Sequence, residues 1–330
     1  SWLLLYLLGA APAVCRSFVR HQKHRLMPFG SDSHSLHQPF ATSLRMGDLG
    51  YQSDSQSSLT VSYNDLSQYT KTLQEALKKP YPDYEAIGLK SSKDSHKQLN
   101  THLLQIENEF YSSIRPKRTT ATGETPLHAL AERGVEYVEV RCIDLNPLLP
   151  CGIDMQTMCF LDTFLLFCLL KDSPKTNNVE YALIPQNIDR TVYQGRDPEL
   201  KLLVGDSEIL LREWGQLLFD EMRPVADLLD SANQTNAYGQ AFNVMMLKLT
   251  DGGATPAAML LEEMRANGET YYAMAMRKAT EHRAYFQAKP PSAETTAKYR
   301  QLAEESLRRQ TEIEASDTLS FDDFLAGYYR

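Results

Sequence analysis

The sequence predicts an α+β fold, with strands gathered in residues 1–150 and helices filling 151–330. Two observations carry that expectation. Three stretches before Pro150 alternate polar and apolar residues with the period of a strand, and the long periodic stretches after it repeat with the period of a helix. The 330 residues, 42% hydrophobic and 23% charged, suffice for a sizeable core and have the composition of an ordinary globular protein.

Residues 1–20 read as an apolar helix interrupted by Gly9 and Pro12. The run 2–14 ahead of Cys15 has the look of a lipoprotein leader. Yet no Met and no basic stretch precedes it, and Val14 is too large for the position before a lipidated cysteine. It is also too short to span a bilayer. The expectation is a buried helix whose packing partner lies outside this chain.

Residues 20–57 are polar, with Gly and Pro punctuation, and read as loop. Residues 58–63 alternate as a half-buried strand, and 65–79 carry helical periodicity up to Pro80. A strand over 103–111 places Leu104, Ile106 and Phe110 on one face and Gln105, Glu107, Glu109 and Tyr111 on the other. A strand over 135–143 places Val138, Val140 and Cys142 opposite Tyr137, Glu139 and Arg141. Helices are expected over 157–171, 206–232, 239–249, 256–266, 270–288, 293–313 and 320–329.

A net charge of −8 disfavours a general nucleic-acid binder, although a few local cations can still hold a phosphate. The five cysteines form no CxxC pair, so they read as reduced core thiols of a cytoplasmic protein. No P-loop, GxGxxG or GxSxG motif is present.

Three segments can carry chemistry. On the strand over 135–143, Glu139 and Arg141 stand on one face, about 6–7 Å apart. A carboxylate there suits Mg²⁺, and a neighbouring guanidinium suits a transferring phosphoryl group. The same pair is equally at home on a solvated sheet face, where it contributes little. Residues 105–111, followed by Arg115, Lys117 and Arg118, read either as the lining of a metal–nucleotide site or as an exposed basic turn. Arg45 and Tyr51 lie in a glycine-containing loop, where binding groups are often mounted.

Taken together, ATSLRMGDLGY (41–51), LLQIENEFYSSIRPKR (103–118) and YVEVRCIDLNP (137–147) resemble the proteobacterial glutamate–cysteine ligases, in the same order and at similar spacing. YLLGAAPAVCRSF (6–18) and LRRQTEIEASDTLSFDDFL (307–325) extend the resemblance over nearly the whole chain.

The resemblance implies a glutamine-synthetase-like cupped antiparallel sheet, incomplete here, followed by a mostly helical C-terminal region. Residues 1–150 would be the later part of the catalytic sheet domain and 151–330 the helical region. It implies ATP-dependent ligation of the glutamate γ-carboxylate to cysteine through an acyl-phosphate, the first step of glutathione biosynthesis. Glu139 is then a Mg²⁺ ligand and Arg141 the contact to the ATP phosphates. Arg45, Tyr51 and Tyr111 surround the cysteine and the acyl-phosphate, with Lys117 on the phosphate side. The family's other metal-binding groups belong to an N-terminal portion, so the chain is expected to be a fragment inactive alone. The expected partners are glutamate, cysteine, ATP and that portion, with no nucleic acid and no membrane. Two other readings stay open: a non-catalytic binding or regulatory subunit of the same fold, and a ligase with a different amine acceptor.

Overall fold

The computed structural model describes residues 1–51 and 54–329. Helix α1 (Trp2–Leu8) is apolar on every side, and a helix of that kind must be covered all round. It is covered by this chain itself. Leu3–Leu8 are at most 4% exposed, and Trp2 lies 4.9 Å from the Trp214 ring. The expectation that its packing partner lies elsewhere is therefore corrected.

Gly9 ends α1 because the chain passes against residue 42 there: a Cβ would lie 2.5 Å from the Leu5 carbonyl oxygen and 2.8 Å from that of Thr42. Beyond it, β1 (Ala13–Cys15), β2 (Met27–Phe29) and β3 (Asp32–His37) form an antiparallel sheet in the order β1-β3-β2. These strands lie within stretches read as helix and as loop: β1 and β2, three residues each, are too short to show usable alternation, and the six residues of β3 are mostly polar.

Helix α2 (Leu66–Ala76) starts where the Asp65 carboxylate accepts from the Gln68 N–H at 2.8 Å. It is followed by α3 (Pro82–Ile87). The expected strands at 58–63 and 103–111 are absent. Residues 107–109 make a 3₁₀ turn instead, held by the Glu109 carboxylate, which accepts from the Gln105 N–H at 2.5 Å. The strand lies just beyond, as β4 (Ile114–Lys117), within the stretch read as a basic turn. Pro116 is tolerated because β4, among the described residues, has a neighbour on one side only. After α4 (Pro126–Arg133) comes that neighbour, β5 (Tyr137–Val140), antiparallel to β4. Val138, expected to face inward, is 45% exposed because this two-stranded ribbon is open at that position.

The second half holds α5 (Met155–Leu170), α6 (Asn178–Gln194), α7 (Leu211–Asn233), α8 (Ala237–Thr250), α9 (Pro256–Asn267), α10 (Tyr271–Gln287), α11 (Ala293–Ser316) and α12 (Phe321–Tyr328). Helix α6 has no counterpart in the sequence reading because Pro185 lies inside it; an Asn177–Glu180 capping box starts it. The helix expected to begin at 206 begins at Leu211, since the hairpin β6 (Lys201–Val204) and β7 (Ser207–Leu210) turns at Gly205 with φ +56°.

Phe160, Phe219 and Phe242 form the aromatic centre of the main core, with successive ring centroids 5.7 and 4.9 Å apart. A second core beneath α2 and α4 includes Tyr69, Leu104, Phe110 and Leu127. Helix α11 has no buried residue, yet α12 beyond it docks on residues 90–105. Asp322 pairs with Lys90 at 2.9 Å, and the Tyr329 hydroxyl donates to the Gln105 carbonyl at 2.7 Å.

Only two of the five cysteines are core thiols: Cys142 and Cys159 are buried, whereas Cys151 and Cys168 are exposed. Among the described residues, no helix is long and apolar enough to cross a membrane.

Candidate active site

The pairing of β4 with β5 sets Arg115 opposite Glu139 and Lys117 opposite Tyr137. Residues two apart on a strand share a face, so Arg115, Lys117 and Glu139 project together, joined by Arg141 just past β5. The Arg141 guanidinium divides between two partners. Its Nη2 donates to Glu139 Oε2 at 2.8 Å and its Nη1 to the Tyr51 hydroxyl at 2.6 Å. Lys117 Nζ stands 3.8 Å from the same Glu139 oxygen. The Tyr51 and Tyr111 rings meet edge to face at 4.8 Å, and the Tyr111 N–H donates to Gln56 Oε1 at 3.0 Å. Five of the six residues expected in the site therefore form one cluster.

Arg45 is placed differently. It lies beside the cluster, its guanidinium carbon 5.8 Å from the Tyr51 ring centroid, but most of its donors are turned to the protein. Nε donates to Asp144 Oδ1 at 2.6 Å, and Nη2 donates to the carbonyls of Arg141 and Ile143 at 3.0 and 3.1 Å.

Two further residues bear on the cluster: Arg115, read from the sequence only as part of a possible metal–nucleotide lining or a basic turn, and Asp144, which has no role in the sequence reading. Arg115 is only 4% exposed; its Nη2 donates to the Asn108 carbonyl at 2.9 Å, and its Nε–H has no partner among the described residues. Alternation from Arg115 to Lys117 would have placed it on the Glu139 face, had the strand been set at 114–117. Asp144 carries no local signal, because its partners are 99 and 134 residues away.

Three cations face one carboxylate, and the electrostatics follow. Burial pushes the Arg115 guanidinium down, and the nearby Arg141 charge pushes it further. For Glu139, burial acts upward, but the hydrogen bond and charge of Arg141 outweigh it and hold the carboxyl below its ordinary range. The surplus of positive charge suits an anion. A resident Mg²⁺ is not matched by these residues. Glu139 is one carboxylate already engaged by two cations, and no three His, Cys, Asp or Glu groups gather around a common point among the described residues. Glu107 is committed elsewhere, accepting from the Leu127 N–H at 2.7 Å at the start of α4.

A profile of the family described as glutamate–cysteine ligase matches residues 1–191. The chain belongs to the glutamate–cysteine ligase family. It is 46% identical over 332 residues to the glutamate–cysteine ligase of Saccharophagus degradans, covering 100% of this chain and 62% of that protein. It is likewise 46% identical over 328 residues to that of Pseudomonas aeruginosa, covering 99% of the chain and 62% of the relative. The chain thus spans about three-fifths of the length of the curated glutamate–cysteine ligases it matches. Among solved structures, the glutamate–cysteine ligase of Francisella tularensis in complex with AMP superimposes with a TM-score of 0.91 at 36% identity, over 99% of this chain and 64% of that one. A bifunctional glutathione synthetase from Pasteurella multocida shares the fold, with a TM-score of 0.61 at 20% identity, over 86% of this chain and 30% of that one.

Proposed function

We propose that this chain serves the ATP-dependent joining of the glutamate γ-carboxylate to the cysteine amine, and that the β4–β5 cluster is the phosphate side of that site. The observation that carries the reading is the set of Arg115, Lys117 and Arg141 around the single carboxylate of Glu139, in a chain of this family. The AMP bound to the Francisella tularensis relative gives independent support.

In this reading the γ-carboxylate oxygen attacks the γ-phosphorus of ATP, ADP leaves, and a γ-glutamyl phosphate forms. The cysteine amine then attacks the acyl carbon, loses a proton, and expels inorganic phosphate. Arg141 and Lys117 lie where they can offset the phosphoryl charge, which is how such transfers are accelerated. Tyr51 and Tyr111 flank the guanidinium with a phenol pair that can hold the incoming amine in line. The Arg45 donors turned to the protein suit a supporting role better than direct contact with substrate.

Mg²⁺ accompanies ATP in this proposal, with Glu139 offering one oxygen. Its other ligands would come from the part of the family fold that this chain does not span. The same holds for the remainder of a cupped sheet, to which residues 1–150 would contribute and against which 151–330 would pack.

The test has two arms. Calorimetric titration of the chain with ATP should show binding that Arg141→Met weakens by about tenfold, equivalent to roughly 1.4 kcal/mol. Phosphate release requiring both glutamate and cysteine should appear only when the rest of the family fold is supplied. Turnover by this chain alone would overturn the half-site reading, and an Arg141→Met titration identical to wild type would overturn the phosphate assignment.

A further inference from the structure

The hydrogen bonds of the cluster close on a residue that does not belong to it. Asp144 is 5% exposed, and both of its carboxylate oxygens are used. Oδ2 accepts from the Ala10 N–H at 2.8 Å, just past α1, and Oδ1 accepts from Arg45 Nε at 2.6 Å. Arg45 Nη2 in turn holds the carbonyls of Arg141 and Ile143. The Arg141 side chain donates to the Tyr51 hydroxyl, and the Tyr51 N–H returns to the Arg45 carbonyl at 2.5 Å. Arg45, Arg141 and Tyr51 thus form a closed ring of hydrogen bonds, anchored to the core at one carboxylate.

A buried carboxylate is costly unless its oxygens are bonded, and it is most favourable when a charged donor is among the partners. Asp144 meets both conditions. An amide in its place would have to turn an N–H₂ group toward a donor, Ala10 or Arg45, so an isosteric change is enough to open the ring.

We infer that Asp144 is a positioning residue for the anion site, fixing Arg45 and, through it, the aim of Arg141 and Tyr51. The inference rests on reading the β4–β5 cluster as the phosphate site. The competing explanation is a staple that only fastens the end of α1, which would affect stability and nothing else.

A double-mutant cycle separates the two. ATP affinity is measured for wild type, Asp144→Asn, Arg141→Met and the double variant, each alongside a thermal melt. In parallel, the Arg141 Nε–H resonance is followed in ¹⁵N-labelled protein without ligand, with Arg277 as a distant reference. Asp144→Asn should weaken ATP binding by about tenfold, yet have no further effect on ATP when Arg141 is already Met. It should lower the melting temperature in both backgrounds. The Arg141 Nε–H signal should shift and exchange faster, with that of Arg277 unchanged. Full additivity with Arg141→Met, or an unmoved Arg141 signal, would overturn the proposal and leave the staple. Wild-type protein that binds no ATP would overturn the phosphate reading alone, and the Arg141 signal would then decide the positioning role. Should Asp144→Asn not fold, Arg45→Lys takes its place. It keeps a cation beside Asp144 but removes the fork to residues 141 and 143, and the same non-additivity is expected.

Discussion

Arg115 on β4 lies directly across from Glu139 on β5, and the two differ sharply in their surroundings. The Arg115 side chain is almost wholly buried, its Nε–H without a partner among the described residues, whereas the Glu139 side chain is 38% exposed and shared by Arg141 and Lys117. A buried cation beside a second cation is an unfavourable arrangement unless an anion reaches the pair.

Replacing Arg115 should therefore separate stability from binding. Arg115→Met keeps the bulk of the side chain and removes the buried charge. The ligand-free melting temperature is expected to stay level or rise, while ATP affinity falls by about tenfold. Parallel melting and calorimetric measurements check both halves, and a large loss of stability with unchanged affinity would contradict the account.

Glu139→Gln should act in the opposite direction on metal-free ATP. The carboxylate competes with phosphate for Arg141 and Lys117, so its loss should tighten binding by a few-fold, about 1 kcal/mol at most given its exposure. In the complete family fold the same change should cut turnover and weaken the dependence on Mg²⁺. Near-normal turnover there would remove Glu139 from the metal role proposed for it.

The fold makes its own contrast between Leu5 and Val138. Leu5 is fully buried at the centre of α1, so Leu5→Ala should cost about 2–5 kcal/mol in urea unfolding. Val138 is 45% exposed, so Val138→Thr should change stability by no more than about 0.5 kcal/mol. Equal losses at the two positions would mean that the open face of β5 is covered in solution.

Glu124 supplies a pH test. Two hydrogen bonds from Arg133, at 2.8 and 2.7 Å, together with the Ala121 N–H and His128, hold its carboxyl well below the ordinary range. A depressed carboxyl stabilises the folded state above its unfolded value near 4.5 and loses that contribution as the pH falls through the folded value. Wild type should thus be more stable than Glu124→Gln at neutral pH, and the gap should close in acid. A gap that is constant from pH 7 to about 2 would argue against the ion pair as its source.

The sequence makes the helical half legible because long amphipathic periods and caps are local. Helices α8 to α12 stand within a few residues of their expected bounds. The clustering of the candidate residues Tyr51, Tyr111, Lys117, Glu139 and Arg141 is legible through the resemblance, which holds their spacing in three motifs. What escapes are features fixed by distant contacts. The strand placed over 103–111 belongs at 114–117, because pairing with β5 overrides the local alternation. The α1 helix reads as uncovered because its cover comes from residues near 190, 245 and 260. Asp144 is silent for the same reason: a carboxylate among apolar neighbours announces nothing until Ala10 and Arg45 are seen beside it.

The docking of α12 on residues 90–105 has a consequence in time. Those residues lead directly into the turn before Tyr111, yet Phe321, whose ring meets that of His96, lies 225 residues further along the chain than His96 (321 − 96). At about 5–20 residues per second, a ribosome needs roughly 10–40 s to cover that distance. Once β5 has been made, the nascent chain carries the β4–β5 ribbon with residues 90–105 still unlatched, and the exposed α11 is the tether along which the latch arrives.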